Sequence, residues 1–204
     1  MRATRPPRPR TGGQTWAAFV RNHAEAIWAC DFLPVPDVAF RSLFAFFIVE
    51  LGSRRVVHVG VTPHPTDAWV AQQLREATPF GVAPRFLIHD HDAKYGPSFD
   101  RVAAASGIEV IRTPIRAPRA NAVCERFLGS VRRECLDHLL ILGERHLRRA
   151  LRAYCAYFNG ARPHQGLGQA IPEAAGWVPP DSTAARIASI PVLGGLHHAY
   201  RRAA

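Results

Sequence analysis

The stretch IWACDFLPVPDVAFRSLFAFFIVELGSRRVVHVGV, residues 27–61, decides the fold. Ile27 to Leu33 reads as a buried strand, interrupted at Pro34 and Pro36, since proline cannot donate to a ladder. Arg41 to Leu51 is a longer strand rich in Phe and Ile that turns at Gly52-Ser53, and Arg55 to Val61 alternates enough to be its hairpin partner. Three antiparallel strands therefore open the domain. Downstream, Thr66 can cap a helix through Ala77, on which Trp69, Val70, Gln73, Leu74 and Ala77 form a stripe. Arg85 to His89 is a short apolar strand, Ser98 to Ala105 a short helix, and Glu109 to Arg112 another strand. Strands that alternate with helices imply parallel pairing. A Pro-containing loop, Thr113 to Arg119, leads to Asn121 at a capping position. Val123, Phe127, Val131 and Cys135 then recur every fourth residue. A last helix, about His146 to Asn159, presents Leu147, Leu151, Tyr154 and Phe158 on one face. The economical solution is an α/β fold in which one mixed sheet is covered by helices.

Upstream, residues 1–14 carry three prolines and two glycines among arginines and read as a basic flexible arm; residues 181–204 read as an irregular C-terminal tail. No apolar run is long enough to cross a membrane, since the longest candidate, Leu43 to Leu51, contains Glu50, and no secretory signal is expected. The expected location is cytoplasmic. The four cysteines, at 30, 124, 135 and 155, lack the spacing of a zinc site or a redox pair.

The charge is +10, and it is uneven: Arg112 to Arg162 holds eleven arginines and four acids. Such a surface attracts a polyanion, because neutralised phosphates release condensed counterions. Within this basic frame, three acids interrupt apolar or structured contexts. Asp31 follows Ile27-Trp28-Ala29-Cys30 inside the first strand, Asp90 follows Phe86-Leu87-Ile88-His89 at a strand end, and Glu125 lies in the first turn of the Arg-rich helix. Ligands of open α/β sheets bind beyond the carboxyl ends of parallel strands, where two of these acids would converge and the helix would bring the third. Carboxylates are hard ligands, suited to Mg²⁺ or Mn²⁺. The residues alone leave another account open: acids commonly end strands as turn formers, and Glu125 can pair with Arg126 or Arg132.

The motifs Trp28-x-x-Asp31, Leu87-Ile88-His89-Asp90-His91-Asp92, Ala120-Asn121-Ala122-Val123-Cys124-Glu125-Arg126-Phe127 and Val131-Arg132-Arg133-Glu134-Cys135-Leu136-Asp137-His138 occur in that order. Together they resemble the catalytic core of DDE transposases of bacterial insertion sequences, a group related to retroviral integrases. Phe158-Asn159-Gly160-Ala161-Arg162-Pro163-His164-Gln165-Gly166-Leu167 is similar to the Y-N-x-x-R-P-H-x-x-L segment at the end of that core. The resemblance covers residues 15–180.

It implies a ribonuclease-H-like mixed five-stranded sheet of order 3-2-1-4-5 flanked by helices. It also implies that Asp31, Asp90 and Glu125 are the catalytic, metal-binding acids, with Asp31 bridging two Mg²⁺ or Mn²⁺ ions. Thirty-four residues separate Asp90 from Glu125, near the family interval, whereas Asp92 leaves thirty-two and keeps a supporting role open. Arg119, Asn121, Arg126, Arg132 and Arg133 are the candidate DNA contacts. Capping alone accounts for Asn121, and Arg162 and His164 either bind phosphate or fix the following turn. Tyr95 and Trp69 either stack on bases or belong to the core. The implied activity is metal-dependent 3′-end cleavage and strand transfer, on double-stranded DNA as transposon ends and target. The expected assembly is a homodimer or larger synaptic complex. Only thirty residues precede Asp31, so end recognition is expected from a separate helix-turn-helix polypeptide. The rival readings are a non-catalytic DNA-binding transposase remnant and a ribonuclease-H-like nuclease.

Overall fold

The computed structural model describes residues 15–113, 122–174 and 186–202. A short helix α1 (Trp16–His23) precedes the expected hairpin strands β1 (Ile27–Pro36), β2 (Ser42–Glu50) and β3 (Val56–Thr62). Helix α2 (Asp67–Ala77), strand β4 (Phe86–His89), helix α3 (Pro97–Ala105) and strand β5 (Glu109–Arg112) follow, and then helices α4 (Ala122–Glu134) and α5 (Glu144–Gly160). The sheet order is β3-β2-β1-β4-β5, with β1 to β3 antiparallel and β4 and β5 parallel to β1. This is the mixed sheet expected from the strand and helix order. Among the described residues, no helix is long and apolar enough to cross a membrane.

Side-chain alternation along β1 divides the interior in two. Ile27, Ala29, Leu33 and Val35 of β1 join Phe86 and Ile88 of β4 in an apolar cluster under α4 and α5. Trp28 and Cys30 join Leu87 in the opposite cluster, under α2 and α3. Helix α4 buries Cys124, Phe127, Leu128 and Val131, and α5 buries Leu147, Leu151, Tyr154 and Phe158, as their spacing predicts. Phe127 sits edge-on between Phe47, at 5.1 Å, and Phe158, at 4.9 Å. Each such pair adds about 0.5–1.5 kcal/mol beyond the area it buries. At the start of α2 the Thr66 hydroxyl accepts the Trp69 N–H at 3.2 Å, which is the expected cap.

Two elements differ from expectation. Strand β1 is not broken at Pro34 and Pro36 but pairs with β2 as far as Pro36 opposite Ser42. Its odd-numbered residues bond toward β2, as Ile27 and Asp37 do at the two ends. The even-numbered proline nitrogens therefore face the other edge, where the ladder to β4 has already stopped at Ala29 opposite Ile88. No ladder bond is lost there. The segment expected to be an irregular tail instead forms an antiparallel hairpin, β6 (Ile187–Val192) and β7 (His197–Arg202), joined through Gly194 and Gly195 at positive φ. Two glycines make that reversal cheap, and His197 pins the hairpin to the core by bonding the Glu134 carbonyl at 2.6 Å. The basic arm, residues 1–14, lies outside the described residues.

Candidate functional site

Sheet parity fixes where the acids point. Asp31 has the same parity as Ala29, and Asp90 the same as Ile88, so both belong to the face that α4 covers. The β1–β4 register ends with Ala29 opposite Ile88, and Asp31 and Asp90 each stand two residues beyond that last pair. Helix α4 crosses this face with Cys124 fully buried and Glu125 beside it in the first turn, exposed. Asp31 feels the charges of the other two acids. Burial pushes the Asp31 carboxyl up to about 6, and the charges of Asp90, Glu125 and Asp92 push in the same direction, against the Phe32 N–H that bonds its Oδ1 at 2.7 Å. The thiol of Cys124 is likewise raised, by burial first and then by Asp31, Cys30, Glu125 and Asp90.

Among the described residues, none of these acids forms an ion pair except Asp92. Asp92 is held by Lys94, whose Nζ lies 2.5 Å from its Oδ2, and the Lys94 bonds outweigh burial to keep it below the usual carboxylate range. Its N–H bonds Oδ1 of Asp90 at 3.1 Å. Asp92 thus acts as a turn acid held by Lys94. No three Asp, Glu, His or Cys side chains among the described residues stand close enough together to grip a metal ion as they are. The donor chemistry nevertheless fits one: hard oxygens from three elements, whose accumulated negative charge a bound divalent cation would offset.

The floor beneath Asp90 is aromatic. His89 is buried, donates from Nδ1 to the Asp90 carbonyl at 2.5 Å, and stacks on Tyr95 with centroids 4.1 Å apart. Tyr95 is buried against Phe99 and Phe46, so it belongs to the core rather than to a base-stacking surface. Trp69 packs against the same cluster. The loop after Asp90 is tied down by Asp67, whose carboxylate accepts the N–H groups of Gly96, Ser98 and Phe99 at 2.8–3.1 Å. A Cβ on Gly96 would lie 2.8 Å from Cγ of Asp67, so glycine is required for that approach. Sequence reading passed over Asp67, which looks like one more acid in the first turn of α2.

The candidate DNA contacts divide. Arg119 and Asn121 lie outside the described residues. Arg126, Arg132 and Arg133 are exposed on α4. The segment from Phe158 to Leu167 has a structural part: Oδ1 of Asn159 accepts the Val56 N–H at 2.8 Å and its Nδ2 donates to the Val56 carbonyl at 2.9 Å, locking α5 to β3. Arg162 donates from Nε and Nη2 to the carboxylate of Glu134, at 2.8 and 2.6 Å, and the Tyr154 hydroxyl donates to the same group at 2.9 Å. Buried His164 bonds the Phe158 carbonyl at 3.1 Å. Arg162 and His164 therefore fix the turn, and Glu134 is the partner that the sequence concealed.

Comparison with known proteins now bears on this geometry. An integrase core domain family model matches residues 106–172. Of solved structures, a chain of the simian T-cell lymphotropic virus intasome in complex with PP2A regulatory subunit B56 gamma superposes with TM-score 0.63 at 14% identity, covering 87% of this chain and 66% of that one. The HTLV-2 integrase catalytic core domain in complex with magnesium, in its dimeric form, gives TM-score 0.56 at 16% identity, covering 70% of this chain and 92% of that one. The fold is that of an integrase catalytic core. Among curated proteins, the chain is 25% identical over 147 residues to an uncharacterized 31.7 kDa protein of insertion element IS407 from Burkholderia multivorans, covering 72% of this chain and 53% of that protein. It is 28% identical over 150 residues to an uncharacterized 39.2 kDa protein of insertion element IS476 from Xanthomonas euvesicatoria, covering 71% and 42%. It spans about half the length of these relatives. The resemblance to insertion-sequence transposases and retroviral integrases is thereby borne out.

Proposed function

We propose that the chain is the catalytic core of an insertion-sequence transposase, cutting double-stranded DNA at transposon 3′ ends and joining those ends to a target. The observation that carries this reading is that Asp31, Asp90 and Glu125, from β1, the end of β4 and α4, form no ion pair among the described residues, while the charges of Asp90 and Glu125 add to burial in raising the Asp31 carboxyl. Those three residues would hold divalent magnesium or manganese. Two such ions, when bound, supply the acidity that activates an attacking oxygen and neutralises the leaving one.

The chain's own residues then have distinct tasks. Asp31 and Asp90, set on adjacent strands, present oxygens from a rigid support, while Glu125 presents its oxygen from α4. His89 fixes the backbone at Asp90 through its carbonyl, and Asp67 fixes the loop that follows. The attacking group is water in cleavage and the freed 3′ hydroxyl in joining. The exposed arginines of α4 attract the DNA backbone. Assembly as a dimer or larger complex, recognition of ends by a separate helix-turn-helix polypeptide, and action at the nucleoid in the cytoplasm complete the proposal. The test is strand joining on labelled transposon-end duplexes with Mg²⁺, run beside cleavage of RNA in a hybrid. Joining supports a transposase. Hybrid cleavage without joining identifies a ribonuclease-H-like nuclease, and DNA binding with neither activity identifies a remnant.

A further inference from the structure

Away from the carboxylates, two pockets meet at a pair of arginines. One, of about 410 Å³, lies between α1 and the start of α4; the other, of about 480 Å³, lies between α4 and the Arg162–Gly166 turn. Both are lined by Arg54, Val123 and Arg126, and no acid lines either among the described residues. Arg54 and Arg126 make no ion pair with any described residue, although they are close enough for the charge of Arg126 to add to burial in disfavouring the Arg54 cation. Nη1 of Arg54 and Nε1 of Trp16, which lines the first pocket, are buried donors without a partner among the described residues. A buried unmet donor costs about 1–3 kcal/mol, more when charged.

The backbone adds to the cost. Arg54 has φ +65°, in the left-handed region where a long side chain is strained and glycine is at ease. Strain and a guanidinium N–H without a described partner coincide at Arg54, in the turn between β2 and β3, and a second cation with no counter-charge among the described residues, Arg126, faces it from α4. Such a combination persists where a ligand repays it.

The geometry points to a phosphate-binding subsite at Arg54 and Arg126 that grips a backbone phosphodiester of DNA. Arg126 directly follows Glu125 on α4, so a strand held there continues toward the three acids; this inference rests on the proposed DNA-joining function. Arg54 itself was not singled out by the sequence, where it is one arginine among many.

Arg54→Gly tests it cleanly, because glycine relieves the strained φ while removing the guanidinium, and Arg126→Gln removes the second charge without a change of backbone. Affinity of the full chain for a transposon-end duplex, measured by fluorescence anisotropy in EDTA over a salt series, should fall roughly three- to tenfold in each variant. The slope of log affinity against log salt should shrink by about 0.9 per lost phosphate contact. Unchanged affinity and slope in Arg54→Gly, with wild type that binds and joins DNA, overturn the subsite and leave the function standing. An Arg54-dependent slope in a protein that never joins strands supports the subsite and overturns the transposase. Inorganic phosphate is the second probe. If it raises the melting temperature of wild type but not of Arg54→Gly, while DNA affinity is the same in both, the pocket takes free anions and the DNA assignment falls.

Discussion

Helix α4 carries a glutamate near each end, and the two are opposites. Glu134, in the last turn, is enclosed by Arg162, Tyr154 and the incoming hairpin, and these bonds outweigh burial to hold its carboxyl below the usual range. Glu125, in the first turn, is exposed, pairs with no described cation and shares its field with Asp31 and Asp90. An acid that stabilises a fold is surrounded by donors; an acid kept for a ligand is left with repulsion. The comparison separates two kinds of motif that look alike as letters in a sequence.

The sharpest way to break it is at the unpaired end. Asp31→Asn, Asp90→Asn and Glu125→Gln should each reduce Mg²⁺-dependent strand joining roughly a thousandfold or more, corresponding to several kcal/mol of lost charge stabilisation, with duplex binding retained. An Asp90→Asn protein that still joined strands would falsify the assignment of that acid.

At the paired end the loss should appear in stability instead. Glu134→Ala strands Arg162 and the Tyr154 hydroxyl, and Asn159→Ala leaves the buried Val56 N–H and carbonyl unmet; each should cost about 2–3 kcal/mol in urea unfolding. A Glu134→Ala chain with wild-type stability would mean the clasp is decorative.

Asp31 should show the opposite sign. Its carboxyl holds a proton up to about 6 in the native state, against an ordinary 3.8. Between those values the native state binds the extra proton, so this group's contribution is present below about pH 4 and is lost as pH rises through about 6. In EDTA at pH 7, Asp31→Asn should therefore stabilise the chain by about 2–3 kcal/mol, and wild type should lose about 2 kcal/mol between pH 4 and 7 while the variant does not. A variant that is less stable than wild type at pH 7 contradicts the charge frustration. The smallest effect belongs to Asp92. Because Lys94 already pairs with it at the surface, Asp92→Asn should cost about 0.5 kcal/mol and leave joining within a few-fold; a thousandfold loss would make it a fourth essential acid.

The strands, both helix faces and the Thr66 cap were legible because periodicity and capping are local, whereas the sheet order came from the family resemblance. The unbroken β1 was not, since whether Pro34 and Pro36 interrupt a strand depends on which neighbour each nitrogen faces. The C-terminal hairpin was hidden because its strands leave Ile187 and Tyr200 exposed and so lack a buried alternating face. At the site, the parity of Asp31 and Asp90 followed from the strand reading. Glu134, Asp67 and Arg54 did not, because their partners lie 28, 29 to 32 and 72 residues away along the chain, as Arg162, the Gly96–Phe99 loop and Arg126. No local pattern marks a residue whose task is set by something that far off.

The two prolines of β1 also govern what can happen beyond the end of β4. A flat, unmatched margin with free amides would invite another polypeptide to zip onto it. Pro34 and Pro36 offer no such amides, so that stretch of β1 gives an incoming strand little to bond, and the sheet is not extended there.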